Sequence, residues 1–338
     1  MSSNETTRRE FVGKTLGALA ASSMAQQILA QTEDSANGIP TRPLGNTGER
    51  VSILCLGGWH IGAVEDPQES IRLMHAAIDQ GITFFDNAWD YHDGASEEIM
   101  GRALAQNGYR KKAFLMTKNC ERDYQGSLRN LEDSLRRLQA DYIDLWQFHE
   151  MVYDNDPDWV FEKGGIKAAL EAQKEGKIRY IGFTGHKDPR IHIKMLEKPH
   201  AWNSAQMPIN VLDAHYRSFQ NEVVPKCLEK GVGVIGMKSL GGGYPRAPIP
   251  TQAGISARKC IHYALSLPVS SLVVGILSEE DLQQSLSVAR NFKPMEEAEK
   301  RELLAGVKDL ATDGRYERFK STQAFDGPHH RRQHGFAV

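Results

Sequence analysis

The chain has 338 residues, 40% hydrophobic and 25% charged, which suits a soluble chain of one large or two ordinary domains. A formal net charge of −2 leaves no electrostatic footprint for nucleic acid or an anionic membrane surface. The four cysteines, Cys55, Cys120, Cys227 and Cys260, form no Cys-x-x-Cys pair, which argues against a zinc or iron–sulfur site.

Residues 1–30 read as a secretory signal. Arg8-Arg9 stands one residue before Phe11-Val12, and a small-residue, weakly apolar run follows from Thr15 to Ala30. The paired arginines point to twin-arginine export, with that export machinery as a partner and the periplasm, or another exported location, as the destination. The run is too short and too weakly apolar for a permanent membrane span. An amphipathic N-terminal helix is the alternative. Cleavage is expected after Ala25 or Ala30, and residues 31–40 read as a linker.

From residue 41 to 292 short apolar runs alternate with helical stretches. Asn46-Thr47-Gly48 signals the turn of a small N-terminal hairpin. Strands are expected at Val51–Gly57, Thr83–Asn87, Phe114–Lys118 and Ile143–His149, then at Tyr180–Thr184, Ala205–Ile209, Gly233–Lys238 and Leu272–Ile276. The intervening helices are amphipathic: Leu128, Leu131, Leu135 and Leu138 recur at spacings of three and four. Cys55, Cys227 and Cys260 lie in apolar contexts and read as small core residues, with a disulfide left open. Eight strand–helix units over roughly 240 residues predict a (β/α)8 TIM barrel. The rival, a doubly wound open sheet, wants G-x-G-x-x-G after its first strand. Gly57, Gly58 and Gly62 have the wrong spacing for it.

In such a barrel the chemistry lies at the carboxyl ends of the strands. There the expected second strand ends in Asp86, with Tyr91 in the following loop; the third ends in Lys118 and the fourth in His149. A tyrosine with a pKa near ~10 is a poor acid at neutral pH, and a neighbouring ammonium lowers that pKa. Lys118 is placed for this, Asp86 to keep Lys118 charged, and His149 to orient a carbonyl or relay protons. Singly, each has a bland reading as a turn, solvated or structural residue. Together they make a proton donor facing a carbonyl oxygen, and the missing hydride calls for a nicotinamide cofactor.

These residues carry a family resemblance. "FFDNAWDYHDGASEEIMGRAL", "FLMTKN" and "YIDLWQFHE", with the hairpin "RPLGNTGERVSILCLGGW", resemble the aldo-keto reductase superfamily from about residue 40 to 292. The resemblance implies a metal-free barrel that interconverts a small-molecule aldehyde or ketone and its alcohol with NADP, Tyr91 acting as general acid/base. A cofactor-binding barrel without turnover is the alternative. It further implies cofactor contacts from Thr184, Gln206, Met237, Lys238, Ser239, Leu240, Gly241 and Ser278, and a pocket aromatic at Trp59. Two departures stand out. Thr184-Gly185 replaces the family's Ser-Asn, and Asp281, beside Glu279 and Glu280, stands near the usual arginine for the 2′-phosphate. The acidic cluster leaves NAD open as the alternative cofactor, although Ser278 and Asp281 also read as a helix-capping box. Residues 293–338 read as a C-terminal extension whose histidines, His329, His330 and His334, belong to a disordered terminus rather than a metal site.

Overall fold

A computed structural model describes residues 23, 24, 26–35, 38–243 and 247–338. Most of the expected signal, including Arg8-Arg9 and the Ala25 cleavage option, lies outside the described residues. Residues 26–30 are helical, and Met24 and Ile28 pack against the core. Among the described residues no helix is long and apolar enough to cross a membrane.

Ten strands form. Strands β1 (Thr41–Pro43) and β2 (Arg50–Ser52) pair antiparallel as the expected hairpin. The other eight are β3 (Leu54–Gly57), β4 (Phe84–Asp86), β5 (Phe114–Asn119), β6 (Ile143–Phe148), β7 (Ile178–Thr184), β8 (Ser204–Pro208), β9 (Gly233–Met237) and β10 (Ser271–Val274). They pair in parallel in chain order, and β10 closes onto β3. A helix follows each strand; that after β5, Tyr124–Leu138, starts at Asp123, whose carboxylate accepts from the Gly126 N–H. The expected strand Val51–Gly57 is two strands. The chain leaves the hairpin at Ile53, and the Ser52 hydroxyl accepts from the N–H groups of Thr83 and Phe84, tying the break to β4.

The barrel has two cores, because successive side chains of a strand point to opposite faces. Cys55, Phe84, Phe114, Met116, Leu145 and Ile235 fill the interior, and Leu44 and Val51 of the hairpin plug its amino end. Gly45 lets that plug seat: its φ is +52°, and a Cβ there would lie 2.4 Å from the Gly233 nitrogen. The alternate residues, such as Phe85, Leu115 and Trp146, face the helices in the larger outer core. All four cysteines are buried and free.

The C-terminal extension is folded, which corrects the expectation of a disordered end. Glu297–Val307 is a helix whose Leu303 and Val307 join a third cluster with Val211, Ile249 and Tyr263. Lys320 is fully buried between Asp213 at 2.6 Å and Glu317 at 2.9 Å. Pro328–Gln333 forms a final helix, with His330 buried and His334 3.0 Å from Asp156. The extension is thus held both by apolar packing, with Met295, Ala311 and Phe319 buried as well, and by matched charges.

Candidate active site

The two-residue period that fills the barrel also builds the site. Asp86 follows the interior residue Phe84 by two positions, Lys118 follows Met116, and Gln147 and then His149 follow Leu145. Each polar side chain therefore emerges inside the rim, at the carboxyl end of its strand. The same rule places Thr184, Gln206 and Met237 on the far side of the opening. All of these but Gln147 line one cleft with Tyr91, Trp59, Lys238, Ser239 and Leu240, and the cleft encloses about 870 Å³. That volume suits a cofactor with a small substrate. Gly241 and Ser278 are not in its lining; their neighbours Gly242, Gly243, Leu277 and Asp281 are.

Lys118 is the hub. It is 1% exposed, and its ammonium donates to Asp86 Oδ1, to the Asn87 carbonyl at 2.7 Å and to the Tyr91 hydroxyl at 3.2 Å. Tyr91 opens a short turn in which His92 and Asp93 have φ of 52° and 54°, left-handed values that cost non-glycine residues energy. The turn is held by His92 Nε2, 2.7 Å from the Trp59 carbonyl, while the Trp59 ring meets Tyr91 edge-on at 5.4 Å. Lys118 was expected to depress the Tyr91 pKa. Instead, burial and then the carboxylates of Asp86, Asp90 and Glu150 push the phenol well above its ordinary value, so Tyr91 holds its proton at neutral pH. Burial likewise holds His149 below the ordinary imidazole range against the pull of Asp90.

Two acids that the sequence reading passed over also reach the site. Asp90 lies 3.1 Å from His149 Nδ1. Glu150 accepts from the Gly327 N–H at 2.8 Å, and burial, then Asp90, pushes its pKa up to about 8. Each acid sits next to a site residue in sequence, as Asp90-Tyr91 and His149-Glu150, and that adjacency was the available signal. The tail is the other omission. Phe325, Asp326 and His329 line the cleft, and Asp326 is anchored by Lys187 at 2.6 Å.

The β7–β10 wall fits a nicotinamide dinucleotide. Gln206 is 1% exposed, yet its Oε1 has no hydrogen-bond partner among the described residues, so it can receive the carboxamide N–H of a nicotinamide. Gly242 and Gly243, both at positive φ, let a bulky ligand approach the backbone. Asp281 has the capping role read from the sequence. Its N–H donates to Ser278 Oγ at 3.2 Å and its carboxylate accepts from the Leu277 N–H at 3.0 Å, while Glu279 turns to Arg72.

Comparison with known proteins agrees with this geometry. Residues 53–248 match the sequence profile described as "Aldo/keto reductase family". The chain is 34% identical over 231 residues to the uncharacterized oxidoreductase YrpG of Bacillus subtilis, covering 59% of this chain and 66% of that one. It is 32% identical over 256 residues to the aldo-keto reductase AFTS1 of Alternaria alternata, covering 64% and 68%. The matched stretches thus span about two thirds of these relatives' own length. Among solved structures, the holo form of aldo-keto reductase AKR11C1 from Bacillus halodurans superposes with a TM-score of 0.66 at 25% identity, covering 82% of this chain and 99% of that one. With the profile matching more than half of its length, and Asp86, Tyr91, Lys118 and His149 meeting at one rim, the chain belongs to the aldo/keto reductase family.

Proposed function

We propose that the cleft binds NADP, with NAD accepted beside it, and interconverts a small aldehyde or ketone and its alcohol. The chain is a nicotinamide-dependent oxidoreductase of the carbonyl/alcohol type. The observation that carries the reading is the Lys118–Tyr91 hydrogen bond, facing a wall on which Gln206 Oε1 is unpartnered. The bound nicotinamide supplies or accepts the hydride at the substrate carbon. Lys118 donates to the phenol oxygen, so the phenol's own proton is free for the substrate oxygen. In reduction Tyr91 gives that proton to the carbonyl oxygen, and the Lys118 ammonium stabilises the phenolate left behind. In oxidation the same proton returns to Tyr91. Neutral His149, on the same wall, orients the substrate oxygen, and Trp59 flanks the phenol. Asp281 in the lining supports weak discrimination between the cofactors, since a carboxylate repels a 2′-phosphate.

Turnover is tested by following nicotinamide absorbance with a panel of aldehydes and ketones and each cofactor. Tyr91→Phe should lower kcat by about 10² to 10⁴. A wild type that oxidises neither reduced cofactor with any of them would sink the activity, and strict NADPH dependence would sink the weak cofactor preference. The export reading rests on Arg8-Arg9 and the run to Ala30, and the chain is proposed to travel folded by the twin-arginine route with its cofactor already bound. Cell fractionation with Arg8→Lys/Arg9→Lys checks this: the double variant should remain in the cytoplasm, and unchanged export would overturn it.

A further inference from the structure

At His149 four side chains from distant parts of the chain meet. Asp90 comes from the loop after β4, Cys120 follows β5, His149 follows β6, and His330 comes from the last helix. One nitrogen, oxygen or sulfur atom of each lies within 4.8 Å of the others. Cys120 Sγ is 3.4 Å from His149 Nδ1, Asp90 Oδ1 is 3.1 Å from the same nitrogen, and His330 Nε2 is 4.0 Å from Asp90 Oδ2. Atoms bound at about 2.0 to 2.3 Å to one tetrahedral ion are separated by about 3.3 to 3.8 Å, and the cluster brackets that range.

Hydrogen bonding accounts for the cluster only in part: Cys120 Sγ and His149 Nδ1 share one at 3.4 Å, but two of its polar atoms are left over. Asp90 Oδ1 is buried without a hydrogen-bond partner among the described residues, although a histidine nitrogen is only 3.1 Å away. The two atoms are close but not aligned for a shared proton. His330 is fully buried, and its Nε2 also lacks a partner while facing Asp90 and Glu150, each at 4.0 Å. Two orphaned polar atoms in one buried cluster leave their desolvation uncompensated, and a shared cation removes that cost. The charges also suit a dication. Asp90 and a Cys120 thiolate supply two negative charges, and Arg122 is matched by Asp156 at 3.0 Å. Arg122 also donates to His330 Nδ1 at 3.5 Å, a long contact that is given up when a metal on Nε2 moves the ring proton to Nδ1.

We infer that Asp90, Cys120, His149 and His330 form a four-coordinate site for a divalent transition metal of the zinc class. Two imidazoles, one thiolate and one carboxylate are the mixed donor set such ions take. Binding displaces the Cys120 thiol proton to solvent. It also bears on the reaction: a metal on His149 Nδ1 leaves the ring proton on Nε2, fixing His149 as a hydrogen-bond donor. The tail then has a second task, since His330 is the one ligand outside the barrel.

The test uses the untagged full chain, stripped with chelator and titrated with Zn²⁺ or Co²⁺. We expect about one Zn²⁺ per chain by elemental mass spectrometry. The Co²⁺ form should show the intense visible bands of four-coordinate cobalt and a thiolate-to-cobalt charge-transfer band in the near ultraviolet. Cys120→Ser should lose that band, and His330→Ala should weaken Zn²⁺ binding by about 100-fold or more. His329→Ala, one residue away, should change it less than about twofold. Occupancy well below one at micromolar Zn²⁺ would overturn the inference. So would a cobalt spectrum indifferent to Cys120→Ser, or His329→Ala acting as strongly as His330→Ala. Should one variant fail to fold, by circular dichroism, the wild-type stoichiometry and the other variant still decide. None of these readouts needs turnover, so they stand apart from the proposed activity.

Discussion

On the β4–β6 side of the cleft the central charges are matched from within the protein. Lys118 has Asp86, the Asn87 carbonyl and the Tyr91 hydroxyl as partners. On the β7–β10 side polar groups keep spare bonding capacity: Gln206 Oε1 and His186 Nε2 have no hydrogen-bond partner among the described residues, and Gly242 and Gly243 offer bare backbone. Around Lys118 the charges are preorganised by the protein's own bonds, in contrast to neighbouring Asp90 and His330, whereas the β7–β10 side reserves its bonds for a ligand. Catalytic groups gain from fixed geometry, whereas a reversible cofactor site must give up little internal bonding when the ligand leaves.

The largest expected effect tests the matched side. Lys118→Met strands Asp86 at 3% exposure and should cost about 3 to 5 kcal/mol in urea unfolding. The Asp86→Asn/Lys118→Met pair should recover more than half of that; equal losses in the single and double variants would mean that the two residues are not a unit. Gln206→Leu probes the reserved side. Calorimetric titration should show NADP binding weakened about tenfold, equivalent to about 1.4 kcal/mol, with unfolding stability within about 0.5 kcal/mol of wild type. A large stability loss would instead put Gln206 with the matched residues.

The tail supplies a third case. Burial pushes Glu317 up to about 7, against about 4.3 in an unfolded chain, with Lys320 opposing. The folded state therefore holds the proton more tightly, and the stability Glu317 contributes falls as pH rises from about 4.3 to 7. Glu317→Gln lacks that fall, so its melting temperature relative to wild type should rise between pH 5 and 8. A constant difference would show that the group does not titrate. The smallest effect is at the acidic corner of the open side. Asp281→Asn should tighten NADP about two- to threefold at low ionic strength and leave NAD unchanged, as read by fluorescence titration.

The barrel was legible in the sequence because its strands are short apolar runs at regular spacing, each followed by an amphipathic helix. Asp86, Lys118 and His149 were legible because each ends such a run. What escaped were features that depend on contacts across the chain. Val51–Gly57 reads as one apolar run, and its break at Ile53 is set by hydrogen bonds to β4. Residues 318–338 have little apolar periodicity, and their order comes from partners such as Asp213, Asp156, Glu150 and Lys187, more than a hundred residues away. Asp90 gave no signal of its own because His330 and Cys120, which it meets in the fold, are 240 and 30 residues distant.

The tail's place over the opening sets an order of assembly during synthesis. Chains emerge from the amino end at about 5–20 residues per second. All eight barrel strands are out once Val274 has been made, and the final helix, Pro328–Gln333, follows several seconds later. A barrel can close in that interval, but its mouth then lacks the wall formed by Phe325 to His329, and Asp213 still waits for Lys320. A nascent chain halted before residue 318 is thus a closed barrel with an unfinished mouth, still without the residues that wall the cleft from Phe325 to His329.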